Sequence, residues 1–390
     1  MTDKTPLGAV DALRQAKTVS AAAKLIHIPR TTFYSRLASE IISAGTSVPK
    51  LDIIEEHRLR SEVVRLRSEL KGALGRADEA TKRADLLESI DGNALAPPEW
   101  VLQTPKGKTH HAIITAFLSD THFDETVRAS EMNGVNAYNR EIAVLRLQKF
   151  FRGVIKLSRD YIAGVKIDGL VLPLGGDIVS GNIHEELERT NAAPILDTVQ
   201  YWPEQIAAGI ELLLKFFPNI YIPCVVGNHG RLRKKPQYKT RVRDNYDWLI
   251  YKILAGYFRD NPRVTFNVPD SPDCHYNVFK TRYLLTHGDQ FSGGGGIGGL
   301  AVPIMRGDAK KQQRETALGR SYDYMHIGHW HQRRNLGSVL INGSPKGYDE
   351  FAAQHNFSYE VPQQSMWVTT PERGMTFEAP IFVQSKLEKW

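Results

Sequence analysis

Five apolar segments of this chain are each followed at once by a short loop of aspartate, asparagine, histidine and glycine residues. From about residue 105 onward, apolar segments with strand character alternate with amphipathic helical segments, an order typical of an α/β domain with several parallel strands. In such domains, ligands bind at the loops that follow the strand ends. We therefore expect the five loops to meet at one edge of a sheet and to form the functional site; they comprise residues 119–122, 175–177, 227–229, 286–289 and 328–331.

The apolar pattern predicts seven strands and four long helices in this domain. The strands are expected at residues 112–118, 170–174, 220–226, 263–268, 283–286, 324–327 and 338–341, and the helices near residues 135–158, 195–216, 244–258 and 303–318. Residues 91–98, Asp-Gly-Asn-Ala-Leu-Ala-Pro-Pro, interrupt any helix that precedes them. We therefore place the domain at residues 97–390.

The polar side chains of the five loops are of the types that bind divalent metal ions. Oxygen and imidazole donors without thiolate suit Mn, Fe or Zn better than an all-oxygen Mg or Ca site. Two ions about 3.5–4 Å apart can hold a bridging hydroxide that attacks phosphorus, and they can stabilise an in-line displacement there. The pattern therefore predicts phosphoester hydrolysis with two divalent ions, of which Mn²⁺ is our first expectation, held by seven residues: Asp120, His122, Asp177, Asn228, His287, His329 and His331.

The motifs Asp-x-His, Gly-Asp, Gly-Asn-His, His-Gly and Gly-His-x-His occur in this order across residues 120–331. In this order they resemble the signature of calcineurin-like metallophosphoesterases. The resemblance implies a four-layer αββα fold, with two central β-sheets flanked by helices. It also implies that Asp177 bridges the two ions and that His229, which is not a ligand, protonates the leaving oxygen or stabilises the transition state. One ion would be held by Asp120, His122, Asp177 and His331, and the other by Asp177, Asn228, His287 and His329.

Two positions depart from the family pattern. The family usually has Asp or Glu after Gly-Asn-His, whereas this chain has Gly230 followed by Arg231. The usual orienting partner of His229 is therefore missing, and Asp289 is one candidate replacement. Ser180 lies where protein serine/threonine phosphatases carry an Asp-Arg-Gly sequence, which argues against a phosphoprotein substrate.

The first 45 residues are predicted to form a small helical domain that binds DNA. Helices are expected at residues 8–17, 20–27 and 30–40, with Ser20 as an N-cap and a small core of Ala22, Leu25, Ile28, Phe33 and Leu37. Residues 19–37 resemble the helix-turn-helix segment of small bacterial DNA-binding domains, whose second helix lies in the major groove. The alternative is a helical protein-docking module. If this domain binds DNA, the residues that contact DNA are Arg30, Thr31, Thr32, Tyr34 and Arg36.

Residues 46–96 are predicted to form a coiled-coil or linker helix. Apolar side chains recur with alternating four- and three-residue spacing at Leu59, Val63, Leu66, Leu70, Ala73, Ala77, Ala80, Ala84 and Leu87. This repeat predicts a homodimer or higher homo-oligomer through residues 59–87. The alternative is a single amphipathic helix packed on the large domain, which Gly72, Gly75 and the small alanines favour.

The positive charge of the chain is unevenly distributed. The formal net charge is +7, with +4 in residues 1–50, −3 in residues 51–100 and +6 in the rest. Seven basic residues and no acidic one lie between residues 231 and 243, directly after the Gly-Asn-His motif. This position favours a polyanionic partner. We expect DNA to contact Arg231, Arg233, Lys234 and Lys235.

The remaining composition points to an intracellular protein. The chain has two cysteines, begins without an apolar signal core and contains no apolar segment long enough to span a membrane. We therefore expect a cytoplasmic, disulfide-free protein. Its features resemble those of DNA repair exonucleases of the metallophosphoesterase superfamily, including phage-borne ones that act in a host cell.

Three functions are compatible with these features. The leading one is hydrolysis of DNA, either by nicking or from an end. The second is a phosphatase or phosphodiesterase that acts on small nucleotides. The third is a DNA-binding regulator with an inactive phosphoesterase domain, an alternative that Gly230 keeps open and the full ligand set disfavours.

Overall fold

The structure is a computed structural model, and it describes residues 7–16, 18–44, 62, 65–69, 72, 96–105, 109–291, 299–384 and 388. The chain divides into two compact units, within residues 1–87 and 88–390, and each is presented by itself. The predicted coiled-coil seam lies outside the described residues, apart from Leu66 in a helical stretch at residues 65–69. In the ranges given above, no helix is both long and apolar enough to cross a membrane.

Residues 7–16 and 18–44 of the N-terminal unit form three short helices around a very small core. They are α1 (Ala9–Ala16), α2 (Val19–Leu25) and α3 (Arg30–Ser43). Phe33 is fully buried against four alanines, two from α1 and two from α2. Two details of the prediction were wrong. Thr18, not Ser20, caps α2, because its hydroxyl accepts a hydrogen bond from the N–H of Ala21. Leu25 is exposed rather than in the core.

The described residues of the larger unit form eleven strands in two sheets. In chain order they are β1 (His111–Phe117), β2 (Lys166–Val171), β3 (Ile220–Pro223), β4 (Val264–Asn267), β5 (Asp273–Val278), β6 (Thr281–Thr286), β7 (Tyr324–Ile327), β8 (Arg334–Asn335), β9 (Val339–Ile341), β10 (Gln363–Thr370) and β11 (Gly374–Phe382). The six-stranded sheet has the order β11-β10-β1-β2-β3-β4, with β1 to β4 parallel. The five-stranded sheet has the order β5-β6-β7-β9-β8, with β6, β7 and β9 parallel.

Helices connect the strands of both sheets. They are α4 (Glu99–Leu102), α5 (Arg140–Asp160), α6 (Glu185–Thr190), α7 (Ile195–Leu213), α8 (Tyr246–Tyr257), α9 (Ala301–Ala317) and α10 (Glu350–Gln354). Asn139 caps α5 and Asn245 caps α8, each through its side-chain oxygen. The two long helices α5 and α7 turn apolar faces inward, including Phe150 and Trp202, which are fully buried.

Alternation along the strands explains how the sheets pack. In β1, Ile114 belongs to a core cluster with residues of α5, α7 and α8, whereas its neighbour Ile113 belongs to a second cluster. That second cluster also contains Tyr283 of β6, so it joins residues of both sheets. A third cluster contains Met325 of β7 and Ile304 of α9. Successive side chains of a strand point to opposite faces, and here both faces find apolar partners.

The prediction of an α/β domain is confirmed, and its strands form two sheets, the number that the family resemblance implied. All seven predicted strands and all four predicted helices are present within a few residues of their expected ends. The expectation of one sheet edge was wrong: the loops after β1, β2 and β3 belong to the six-stranded sheet, and those after β6 and β7 to the five-stranded sheet. Apolar patterning locates strands but does not say which of them pair.

Candidate metal centre

The loops after β1 and β2 are held side by side by backbone hydrogen bonds. The N–H of Asp120 donates to the carbonyl of Gly176, and the N–H of His122 donates to the carbonyl of Asp177, each at 3.0 Å. Isolated bridges between Leu118, Leu174 and Cys224 continue the parallel alignment beyond the strand ends to β3. Three of the five motifs therefore lie side by side at the same end of the six-stranded sheet.

Most of the candidate ligands have a backbone conformation that is rare for their residue type. Five of the seven have positive φ angles between 43° and 68°. Such left-handed conformations are uncommon for residues other than glycine, cost about 1–3 kcal/mol when strained, and concentrate at functional sites. The loops therefore hold these side chains against their local preference; the five are Asp120, His122, Asp177, His329 and His331.

The structure brings all seven predicted ligands together. Donor atoms of six of them, with those of His229, form three overlapping groups, each within 4.8 Å, and Asp177 belongs to two of these groups. Nε2 of His287 lies 3.0 Å from Oδ2 of Asp177 and 3.2 Å from Oδ1 of Asn228. Nε2 atoms of His122 and His331 are 3.0 Å apart. The groups are Asp120 with His122 and His331, His122 with Asp177 and His229, and Asp177 with His287 and His329.

The donor set fits divalent cations. Asp120 and Asp177 are buried, and among the described residues no lysine or arginine forms an ion pair with either carboxylate. Unpaired buried carboxylates are costly unless a positive charge accompanies them. Nδ1–H of His287 donates to the carbonyl of Gly175 at 2.8 Å, so Nε2 is the nitrogen that faces Asp177. Such a second hydrogen bond is the usual way to orient a metal-binding imidazole.

The pKa values show how strongly these groups interact. Burial raises the pKa of Asp120 to about 6, and the Asp177 carboxylate adds to this effect while His287 opposes it. Burial alone would lower the pKa of His287, but the charge and hydrogen bond of Asp177, together with the charges of Asp120 and Asp289, outweigh it and raise that pKa to about 10. A metal ion bound to Nε2 of His287 would therefore have to displace a proton.

His229 is oriented by a backbone carbonyl rather than by a carboxylate. Its Nδ1–H donates to the carbonyl of Ser180 at 2.9 Å, and its backbone N–H donates to Oδ1 of Asp177 at 2.7 Å. Burial lowers the pKa of the imidazole to about 4. Asp289, the candidate partner from the sequence, instead forms an ion pair with Arg241 at 2.7 Å. That expectation was wrong.

The structure also explains why position 230 is glycine. A Cβ atom on Gly230 would collide with Oδ1 of Asn245 and would lie 3.1 Å from the carboxylate of Asp247. Nδ2 of Asn245 donates to the carbonyl of Gly227 at 2.8 Å, and its Oδ1 accepts from the N–H of Asp247 at 2.8 Å. The space beside position 230 is thus filled by two side chains from the start of α8.

Asp247 connects two of the ligand loops. Its Oδ2 accepts hydrogen bonds from the N–H groups of Asp177 and Gly227, both at 2.9 Å, and its Oδ1 accepts from Ile178 at 3.1 Å. The carboxylate is fully buried, and burial raises its pKa to about 6. Sequence reasoning missed Asp247, because an acidic residue in the first turn of a helix is usually explained by capping and the helix dipole.

A buried ion-pair network lies beside His122. Oε2 of Glu125 is 3.3 Å from Nδ1 of His122, and Oε1 of Glu125 is 2.9 Å from Nζ of Lys346. Lys346 also contacts Asp349 at 2.5 Å. Burial would raise the pKa of Glu125, but Lys346, His122 and His229 together outweigh it and hold that pKa well below its usual range. Glu125, Lys346 and Asp349 were also missed; only Glu125 has a sequence signal, three residues after His122.

The predicted DNA contacts of the basic loop fall into two groups. Arg231 donates to the carbonyls of Asn228, Arg233 and Lys234, so it shapes the loop. Lys234 is 3.3 Å from Glu185. Arg233 and Lys235 are exposed and form no ion pair with any residue that the structure describes. Only these two of the four predicted residues therefore present free charge.

The predicted contacts of the N-terminal unit all lie on one helix. Each lies in the first turn of α3 or just after it, and each is exposed. The five residues are Arg30, Thr31, Thr32, Tyr34 and Arg36. Nε of Arg36 also lies 3.2 Å from Glu40. Solvent screens this pair, so it contributes little to stability. It does not remove Arg36 from the surface.

The metal-binding groups open into a cleft of about 570 Å³. His122, Asp177, Asn228, His329 and His331 contribute to its lining. His184, whose ring centroid lies 5.9 Å from that of His229, lines it as well. The size is in the range of small-molecule sites.

Comparison with known proteins finds similarity only among solved structures. No protein-family model matches the sequence, and no curated protein sequence matches it. Vacuolar protein sorting 29 from Cryptosporidium parvum is 12% identical, with 69% of this chain and 97% of that chain covered and a TM-score of 0.28. A predicted phosphoesterase from Streptococcus pneumoniae is 12% identical (70% and 98% covered, TM-score 0.25). The phosphopantetheinyl hydrolase of Mycobacterium tuberculosis is 10% identical (63% and 93%, TM-score 0.25). Values this low carry no argument about activity.

Proposed function

We propose that the unit within residues 88–390 is a calcineurin-like metallophosphoesterase that hydrolyses phosphodiester bonds of DNA. The observation that carries this proposal is the convergence of seven oxygen and nitrogen donors, with Asp177 shared between two groups of them. The three core clusters, which join helices, two sheets and a further helix, support a four-layer αββα arrangement. The free cations Arg233 and Lys235 support a polyanionic substrate.

Each part of the centre has a distinct task in such a reaction. The seven ligands would hold two divalent ions, Mn²⁺ in our proposal, with Asp177 between them. When bound, such ions polarise a phosphate and lower the pKa of a water molecule. His229, fixed by Ser180, presents Nε2 to the cleft. An anionic phosphate beside this ring raises its pKa, which allows it to protonate the leaving oxygen.

The N-terminal unit is proposed to bind duplex DNA through α3. Three helices around Phe33, a four-residue turn between α2 and α3, and an exposed polar face on α3 support this role. Two copies, joined as a homodimer through residues 59–87, would match two half-sites on a duplex. The proposal therefore combines a DNA reader with a hydrolase.

The test is cleavage of supercoiled, linear and single-stranded DNA by the whole protein with Mn²⁺, with and without a chelator. Asp177→Asn should abolish cleavage while circular dichroism remains unchanged. Asp323→Asn is the matched control, because that carboxylate pairs with Arg282 at the surface. Hydrolysis of small nucleotides without any cleavage of DNA would support the phosphodiesterase alternative. Loss of both activities in wild type would support the inactive regulator.

A further inference from the structure

The segment that follows β9 exposes an unusual amount of apolar surface. Phe351 is 61% exposed and Phe357 is 43% exposed, and Tyr359 and Val361 are exposed as well. Their rings are grouped: the centroids of Phe351 and Phe357 are 5.9 Å apart, and those of Tyr348 and Tyr359 are 5.8 Å apart. Contiguous exposed apolar side chains of this kind mark binding surfaces.

These aromatic side chains line the same cleft as the metal-binding residues. We call Trp330, Tyr348, Phe351 and Phe357 the aromatic wall; all four border the cleft that Asp177 and three of the four candidate ligand histidines also border. Trp330 directly follows His329, and their ring centroids are 5.7 Å apart. A substrate held at the metal centre therefore lies next to aromatic faces.

A second recess, which has basic rather than aromatic side chains at its border, shares Asn228 with the cleft. It is bordered by Arg233, Lys235 and Lys239 of the basic loop. None of these three cations forms an ion pair with a residue in the described ranges. Asn228 lines both the recess and the cleft. Free positive charge and exposed aromatic rings thus meet at the metal centre.

We propose that the aromatic wall stacks against unpaired bases of single-stranded DNA while the free cations bind its phosphates; this rests on the proposed function. Cations that follow the backbone and aromatic rings that stack on bases are the combination by which proteins bind single strands. In a duplex the base faces are covered by neighbouring bases, so aromatic rings have nothing to stack on. The cleft therefore selects single strands or unpaired ends over intact duplex.

The experiment measures binding of short fluorescent oligonucleotides to the full chain in a chelator, so that no strand is cut. Three probes are compared: a single strand, the same length with abasic sites throughout, and a duplex. Phe351→Ala and Phe357→Ala should each weaken single-strand binding about tenfold, as expected for loss of one stacking contact. Neither should change binding of the abasic probe or the duplex by more than about twofold. Phe216→Ala is the control, because Phe216 is 50% exposed and does not border the cleft.

The outcomes separate the two proposals. In the proposed function α3 also binds duplex DNA, so the absolute affinity for the duplex does not test the aromatic wall. The test is the change in affinity that each substitution causes for each probe. Equal weakening of all three probes, or no weakening of any, would overturn the aromatic wall as a base-binding surface. Stacking would also be refuted if the abasic strand bound as tightly as the normal one. If no nucleic acid binds at all, the proposed function itself fails.

Discussion

Gly230→Ala offers a sharp test of how the ligand loops are supported. Gly230 has an ordinary backbone conformation, since it is not among the residues with positive φ. If only the backbone mattered, alanine would stabilise the fold by about 0.4–1 kcal/mol, because it lowers the conformational entropy of the unfolded chain. The added Cβ, however, would overlap Oδ1 of Asn245. The sign of the effect depends on whether Asn245 can move.

The contacts of Asn245 show that movement is costly. The side chain is buried and makes hydrogen bonds with the carbonyl of Gly227 and the N–H of Asp247. Each such bond contributes about 0.5–1.5 kcal/mol net, and a buried partner left unpaired costs about 1–3 kcal/mol. We therefore expect Gly230→Ala to destabilise the protein by about 2–4 kcal/mol, which exceeds the backbone gain.

Thermal unfolding of the metal-free protein measures this difference. A loss of about 2–4 kcal/mol in a unit of this size lowers Tm by about 3–7 °C. Gly256→Ala is the matched control, because Gly256 lies in α8 with no atom within 4 Å of an added Cβ. That substitution should raise stability by about 0.5–1 kcal/mol. An unchanged or higher Tm for Gly230→Ala would refute the steric account of this position.

Four further predictions follow from the site and its surroundings. His229→Gln should lower kcat on DNA by about 10²–10⁴-fold but act much less on p-nitrophenyl esters, whose leaving group needs no proton; equal losses would exclude proton donation. Mn²⁺ at about 100 times its Kd should stabilise the protein by about 2.7 kcal/mol, a calorimetric shift that Asp177→Asn should remove. Burial would raise the pKa of Asp273, but Lys311, Thr286 and Arg314 together outweigh it and hold that pKa below 3.8. The ionised carboxylate of Asp273 therefore stabilises the fold above about pH 4, and this stabilisation is lost as the pH falls. Between pH 5 and pH 3, Tm should fall more steeply in wild type than in Asp273→Asn; parallel curves would contradict this. Removal of residues 1–95 should weaken duplex binding, measured by anisotropy, and leave hydrolysis of small esters unchanged.

The ligand residues could be predicted because their chemistry is local in sequence. Metal binding at strand ends requires Asp, Asn and His within a few positions of an apolar segment, and Asp120 with His122, or His329 with His331, are such short patterns. The left-handed backbone of these residues and the division of their loops between two sheets were not predictable. Both depend on tertiary contacts that bring distant segments together.

The supporting residues escaped prediction for a related reason. Asp247 and Lys346 are ordinary polar residues by sequence, and each acquires its role through a partner at least 20 positions away. Strands β10 and β11 were missed as well. β10 begins with the polar residues Gln363, Gln364 and Ser365, of which Gln364 and Ser365 are buried within the unit, so their polarity concealed an interior strand of the sheet.

Metal stoichiometry, measured together with turnover, tests the central claim most directly. Metal-free protein is titrated with Mn²⁺ while bound metal and cleavage of single-stranded DNA are followed in the same samples. We predict that cleavage reaches its maximum at two ions per chain and that Asp177→Asn neither binds two ions nor cleaves. Full cleavage at one ion per chain, or cleavage that persists without metal, would contradict the two-metal centre built around Asp177.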